Sequence, residues 1–189
     1  MFLAEAVVMS VEDIDFDFEN SSIRVVVTRE IPEMPRMPKL TSARVGLEVE
    51  VPYWVAHELV QGGYVKFREE DVITYNSLSK IHWKETIPAS RQIPSLPGNF
   101  YCILRRHLAE LRKQSKQDQI KLRELERTET LVRDIVNVRI RKIVSLSASP
   151  TPSGELIQGL THEERGLYAV LNQTIEGWKN ELLERDEKQ

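Results

Sequence analysis

Cys102, four histidines and a dense run of carboxylates are the residues with which this sequence could do covalent, acid–base or metal chemistry. A metal needs ligands that converge, most simply at a short helical spacing. His57, His82, His107 and His162 fall on four different expected elements, with no i, i+4 pair among them. Cys102 stands at the start of an amphipathic run, where a helix dipole lowers a thiol pKa. No Cys-His or Ser-His-Asp pattern has a recognisable local context, so Cys102 reads as a packing residue. The carboxylates of residues 12–19 (EDIDFDFE) lack the glycine and the bidentate glutamate of a calcium loop. Interleaved with Ile14, Phe16 and Phe18, they read as an alternating edge strand. Gly62-Gly63 lacks the flanks of a phosphate loop. No catalytic, cofactor or metal-binding set is expected, and the chain is not expected to be an enzyme.

Charge offers a second kind of chemistry. Residues 1–30 carry seven acidic side chains against two basic, whereas residues 91–142 carry thirteen basic against six acidic. Arg105, Arg106, Arg112 and Lys113 are the candidate contacts to nucleic-acid phosphates. The net charge of −3 gives the whole molecule no strong pull toward DNA or an acidic membrane, so such contact would be weak or indirect. The alternative is a solvated face laced with i, i+4 pairs such as Glu129–Arg133.

Positioning of these residues falls to a chain of 189 residues, 41% hydrophobic and 29% charged, which suits a folded protein with its own core. The single cysteine allows no internal disulfide, and the chain is expected to work inside the cell. The apolar start, MFLAEAVVM, carries Glu5 and no basic leader, so it reads as folded chain and not as a signal peptide. No run approaches membrane length.

The first third reads as β. Residues 22–30 (SIRVVVTRE) are rich in β-branched side chains. Residues 31–40 place Pro32, Pro35 and Pro38 three apart, which makes an extended loop of polyproline II character. Residues 44–52 (RVGLEVEVP) alternate Val45, Leu47, Val49 and Val51 with polar or small residues. Pro52 stops that strand and suits a helix start, and a short helix follows over 53–61, closed by Gly62 and Gly63. YVKF returns as a strand. Pro52, Tyr53, Trp54 and Leu59 are expected to anchor the short helix over the sheet.

From residue 69 the apolar period changes from two to about 3.6. Helices are expected over about 70–84, 99–115, 118–147 and 161–185, the last opened by a Thr161-x-x-Glu164 capping box. The breaker ASPTPSGELIQG separates the last two. The expected fold is therefore α+β: a small β-rich domain with a short helix over 1–68, then an all-α domain over 69–189 with one long helix.

That long helix implies a partner. At 1.5 Å per residue it spans roughly 45 Å, whereas a compact domain of about 120 residues is only about 35 Å across. Its apolar residues between Leu131 and Leu146 cover an arc of about 240°, more than one core needs. Leu131, Ile135, Val138, Arg139 and Ile143 are the candidate interface residues. Arg139, inside the arc, is expected to be a buried or interface arginine paired with a carboxylate.

Two segments resemble a known family. VEVPYWVAHELVQGGYVKF (49–67) is similar to the strand–Pro–aromatic–Trp–Ala–x–x–Leu–strand element of the GINS family, the four-part replication scaffold that accompanies the MCM helicase. TLVRDIVNVRIRKIVSLSAS (130–149) is similar to that family's long helix, with its Leu-Val-Arg/Lys-Asp start and central Arg-Ile. The resemblance spans most of residues 20–183 and rests on the joint order of the two segments. With β first, the chain looks like the class related to the second and third partner subunits of the eukaryotic complex, and in its compactness like the archaeal version. The resemblance implies a non-enzymatic scaffold that bridges and activates MCM. It also implies a 2:2 heterotetramer with the helical-domain-first subunit, docking to a RecJ-like nuclease, and a cytoplasmic, nucleoid-associated location (nuclear if eukaryotic). The competing reading is a basic helical protein that acts directly on DNA through residues 105–142.

Overall fold

A computed structural model of the chain describes residues 10–32, 40, 42–87, 93–149 and 154–183. The expected proline-rich loop lies mostly outside these residues, as does the tail from 184. The chain divides into two compact units, Asp15–Ile73 and a helical unit formed by Thr74–Gln189 together with the chain up to Ile14.

In the first unit, β1 (Ser22–Val27) is the central strand of a three-stranded antiparallel sheet, flanked by β2 (Glu48–Pro52) and β3 (Val65–Phe67). Val25 faces Val49 on one side and Phe67 on the other. Val25 and Val27, two residues apart, share a face and are buried with Val51 and Val65. Helix α2 (Tyr53–Gln61) covers that face with Val55, Ala56 and Leu59. Its bounds are those expected. Pro52, at φ −57° and ψ 145°, ends the strand and caps the helix, and the Tyr53 amide donates to the Ser21 carbonyl at 3.0 Å. At the other end Gly63 takes φ +73°, the left-handed conformation that glycine adopts without Cβ strain, and turns the chain into β3.

Two sequence expectations change here. β2 begins only at Glu48: residues 44–47 form a turn around Gly46 at φ +89°, whose amide donates to the Val27 carbonyl at 2.8 Å. Residues 12–19 are helix and not an edge strand, as α1 (Val11–Asn20). Ser10 caps it reciprocally with Asp13: the Asp13 amide donates to Ser10 Oγ at 3.1 Å and the Ser10 amide to Asp13 Oδ2 at 3.0 Å. Those Ser10 hydrogen bonds, side chain first, hold the Asp13 carboxyl below its usual range. Ile14 and Phe18, four apart, are buried, while Phe16 between them points to solvent. An apolar residue at every second position satisfies a helix as well as a strand when the middle one can stay wet.

In the helical unit, the first expected helix starts late. A short 3-10 turn at Glu69–Asp71 still belongs to the first unit, and the helical unit resumes with α3 (Tyr75–Thr86), which Thr74 and Ser77 open with a capping box. Then come α4 (Phe100–Ser115), α5 (Gln119–Ser147), the one-turn α6 (Gly154–Gln158) and α7 (His162–Leu183). The connection Lys116–Asp118 is short enough to make α4 and α5 antiparallel neighbours, and Asp118 caps α5 by accepting from the Ile120 and Lys121 amides. Helix α5 is the axis: α3, α4 and α7 all pack on it. Its buried face carries Leu125, Thr128, Ile135, Arg139, Ile143 and Leu146. Each buried isoleucine there contributes roughly 1.5–3 kcal/mol. The fold is thus α+β, a small antiparallel sheet N-terminal to a helical bundle. No helix among the described residues is long and apolar enough to cross a membrane.

Candidate partner-docking surface

Arg139 sits halfway along the axis helix and is 1% exposed. Its Nη1 donates to Glu85 Oε1 of α3 at 2.5 Å and to the Pro94 carbonyl at 2.9 Å. Nη2 donates to Glu164 Oε2 of α7 at 2.6 Å and to the Gly159 carbonyl at 3.3 Å, and Nε donates to Glu164 Oε1. Every donor nitrogen of the guanidinium therefore has a partner. The carboxylates are shared in turn. Lys142 Nζ, one turn along α5, donates to Glu85 Oε2 at 2.6 Å. Tyr101 of α4 donates to Glu164 Oε1 at 2.7 Å, and the Thr161 amide to Glu164 Oε2 at 3.0 Å.

Two cations against two carboxylates leave the network neutral, which is how a charged group survives burial. Burial alone would lower the Arg139 pKa, but the Glu164 hydrogen bond and charge, with Glu85 behind them, outweigh it and hold the pKa above its ordinary value. Burial, reinforced by the Glu164 carboxylate, pushes the Tyr101 phenol well above its ordinary value, so the hydroxyl stays a donor. Gly159 is required by close approach: a Cβ there would lie 2.6 Å from the Ile93 carbonyl oxygen. Its absence lets the Gly159 and Pro94 carbonyls both reach one guanidinium. The network joins α3, α4, α5 and α7 and so fixes the rotation of each helix, which decides the faces left outside.

Part of each of two of those faces is apolar. On α5, Ile140 and Val144 (i, i+4) are exposed beside the buried stripe. On α7, Leu167, Val170, Trp178 and Leu182 lie within an arc of about 120° and are exposed, Trp178 by 61%. Helices α5 and α7 run parallel: Glu164 meets Arg139, and Asn172 Nδ2 donates to the Ser147 carbonyl at 3.0 Å, both at a separation of 25 residues. Since α5 ends at Ser147, the last turns of α7 run on past it, and Trp178, Leu182 and Leu183 all stand in solvent.

This corrects the expected interface. Ile135, Arg139 and Ile143 are each 1% exposed, buried by the chain's own helices, and a partner cannot reach them without opening the bundle. Leu131 and Val138 are half-buried. The overhang inferred for the long helix belongs, at its C-terminal end, to α7. Sequence reasoning placed Arg139 with a carboxylate. It did not find Glu85 or the second role of Glu164, whose capping box with Thr161 was the one available signal.

The other candidates also separate. Tyr53 is buried, its ring 4.4 Å from Phe18 and 5.7 Å from Phe67, centroid to centroid, and Leu59 is buried in the sheet core. Trp54, beside Tyr53, is 51% exposed. Among the nucleic-acid candidates, Arg112 is held by Glu129 through Nε at 3.0 Å and Nη2 at 2.7 Å. Arg105 lies 3.6 Å from Glu163 and donates to Cys102 Sγ, and Arg106 donates to the Cys102 carbonyl at 3.2 Å. Three of the four thus serve the bundle, and Lys113 alone faces solvent without a described partner. Cys102 itself is fully buried. No three of His, Cys, Asp and Glu converge as metal ligands among the described residues.

No curated protein matches the chain. A family model does: the GINS complex protein helical bundle domain (Sld5) matches residues 72–183. That match runs from just before α3 to the end of α7 and takes in the whole Arg139 network. Covering more than half of the sequence, it shows that the chain belongs to the GINS family.

Proposed function

We propose that this chain is a non-enzymatic scaffold subunit of a GINS replication complex, which bridges and activates the MCM replicative helicase. The observation that carries the reading is the family match over a bundle whose central charges are paired internally and whose surface carries exposed apolar stripes on α5 and α7. Such a bundle offers surface and not chemistry. The β-first order supports the class related to the second and third subunits of the eukaryotic complex, and the compactness of the chain supports the archaeal type. Its direct partner would be the helical-domain-first GINS subunit, in a 2:2 heterotetramer, with MCM and a RecJ-like nuclease docking on the assembly. The interface would lie on Ile140 and Val144 of α5, the half-buried Leu131 and Val138, and the Leu167–Leu182 stripe of α7. DNA contact would be weak, since Arg105, Arg106 and Arg112 are already engaged.

The test is co-expression with a helical-domain-first GINS subunit, followed by pull-down with MCM. The expected result is a stoichiometric complex that retains MCM through this chain. A chain that binds DNA tightly by itself, with steep salt dependence, and ignores both proteins would overturn the proposal.

A further inference from the structure

A cavity of about 320 Å³ opens on the helical unit between the start of α3 and the first third of α5, lined by Tyr75, Ile120, Arg123, Glu124 and Arg127. Its two arginines, four apart, lie side by side on one helix face. Both are exposed, and among the described residues neither has a carboxylate partner. The one acidic lining residue is already engaged, since Glu124 Oε2 accepts from Lys121 Nζ at 2.7 Å. The walls beside them are apolar, with Ile120 76% exposed and Tyr75 nearly half so. Two neighbouring guanidiniums without carboxylate partners among the described residues are unsatisfied charge next to uncovered apolar surface.

We infer that this cavity docks a short acidic segment of a partner protein, with one carboxylate held between Arg123 and Arg127 and an adjacent aliphatic or aromatic side chain laid on Tyr75 and Ile120. Arginine's planar fork recognises a carboxylate through two parallel hydrogen bonds. Anchoring one apolar side chain beside that pair is how short motifs gain both affinity and register. The charge around the site favours a peptide over nucleic acid. A phosphate backbone wants a continuous cationic track, and here Asp118, Glu124 and Glu126 interrupt the basic residues of α5. This inference goes beyond the scaffold reading, and holds or fails whether or not the chain acts on MCM.

The test uses the full chain and an array of fluorescein-labelled hexapeptides, each with one Leu or Phe flanked by Asp or Glu in varied order, read by anisotropy. Neutral Asn/Gln counterparts and a labelled oligothymidylate are the comparisons. Acidic members are expected to bind at least tenfold more tightly than their neutral counterparts. Arg123→Glu/Arg127→Glu should remove that binding, and Tyr75→Ala, which keeps both charges, should weaken it about tenfold. All three positions are exposed, so circular dichroism should show the bundle unchanged. Absence of binding by every acidic peptide overturns the inference, as does binding that survives the double substitution. Tighter binding of oligothymidylate than of any peptide, lost in the same double variant, would reassign the cavity to nucleic acid and equally overturn it.

Discussion

Arg139→Met keeps most of the volume of a side chain buried at the centre of the bundle and deletes its charge. Glu85 would retain Lys142, and Glu164 would retain the Tyr101 hydroxyl and the Thr161 amide. Both carboxylates would nevertheless remain buried with one cation where there were two. Removing one partner from a buried ion network costs roughly 3–5 kcal/mol, mostly through the charge left behind. With a urea slope of about 2 kcal/mol/M for a domain of this size, the unfolding midpoint should fall by about 1.5–2.5 M. The two units need not unfold together, so the titration is read in a Trp54→Phe background. There the remaining tryptophans, Trp83 and Trp178, both report on the helical unit. The double variant Arg139→Met/Glu164→Gln should recover much of the loss, because Glu85 stays paired with Lys142, no charge is left uncompensated and Tyr101 keeps an acceptor. A loss below about 1 kcal/mol in the single variant would refute the reasoning. So would a double variant no better than the single one.

The remaining predictions concern other parts of the molecule. Gly159→Ala should cost about 1–3 kcal/mol in the same titration, since the new Cβ would meet the Ile93 carbonyl at 2.6 Å; an unchanged midpoint would argue against that close approach. Tyr53→Ala should destabilise the β unit by roughly 3–5 kcal/mol, whereas Trp54→Ala should cost less than about 1 kcal/mol because its side chain is half solvated. Amide exchange in β1 and β2 would distinguish the two, and equal effects would contradict the assignment of Tyr53 as the anchor. Burial holds the His107 pKa below its ordinary 6.5, against the opposing charge of Glu124. Its neutral form is therefore favoured by folding. The corresponding stability is complete above pH 6.5 and is lost as pH falls below that value toward the folded pKa. His107→Gln should flatten the decline in stability below pH 6.5, and an identical pH profile would exclude the contribution.

Local chemistry explains what the sequence revealed and what it hid. Pro52 and the Gly62-Gly63 pair bound α2 at its observed ends because backbone restrictions act at the residue that carries them. Thr161 announced α7 in the same way, by its capping box with Glu164. Alternation failed as a guide at residues 12–19, where burial of Ile14 and Phe18 alone decided for helix. It failed again at Val45 and Leu47, which are exposed around the Gly46 turn. The partners of Arg139 lie 54 and 25 residues away, and no spacing rule connects them. The breadth of the apolar arc on α5 was legible; which part of it the chain covers for itself was not, because that depends on where α3 and α7 pack. Hence Ile135, proposed from sequence as a partner contact, is core, and Ile135→Asp would unfold the bundle before it could report on assembly. The informative positions are Ile140, Val144, Trp178 and Leu182.

The most direct measurement is the solution mass of this chain, by light scattering, after co-expression with a helical-domain-first GINS subunit, for the wild type and for Trp178→Asp/Leu182→Asp. The exposed faces of α5 and α7 should be covered in a hetero-oligomer. The double variant, folded by circular dichroism, should elute near the chain's own 21.9 kDa. A wild-type chain that remains a soluble monomer beside its partner, or a complex indifferent to charge at Trp178 and Leu182, would contradict the account.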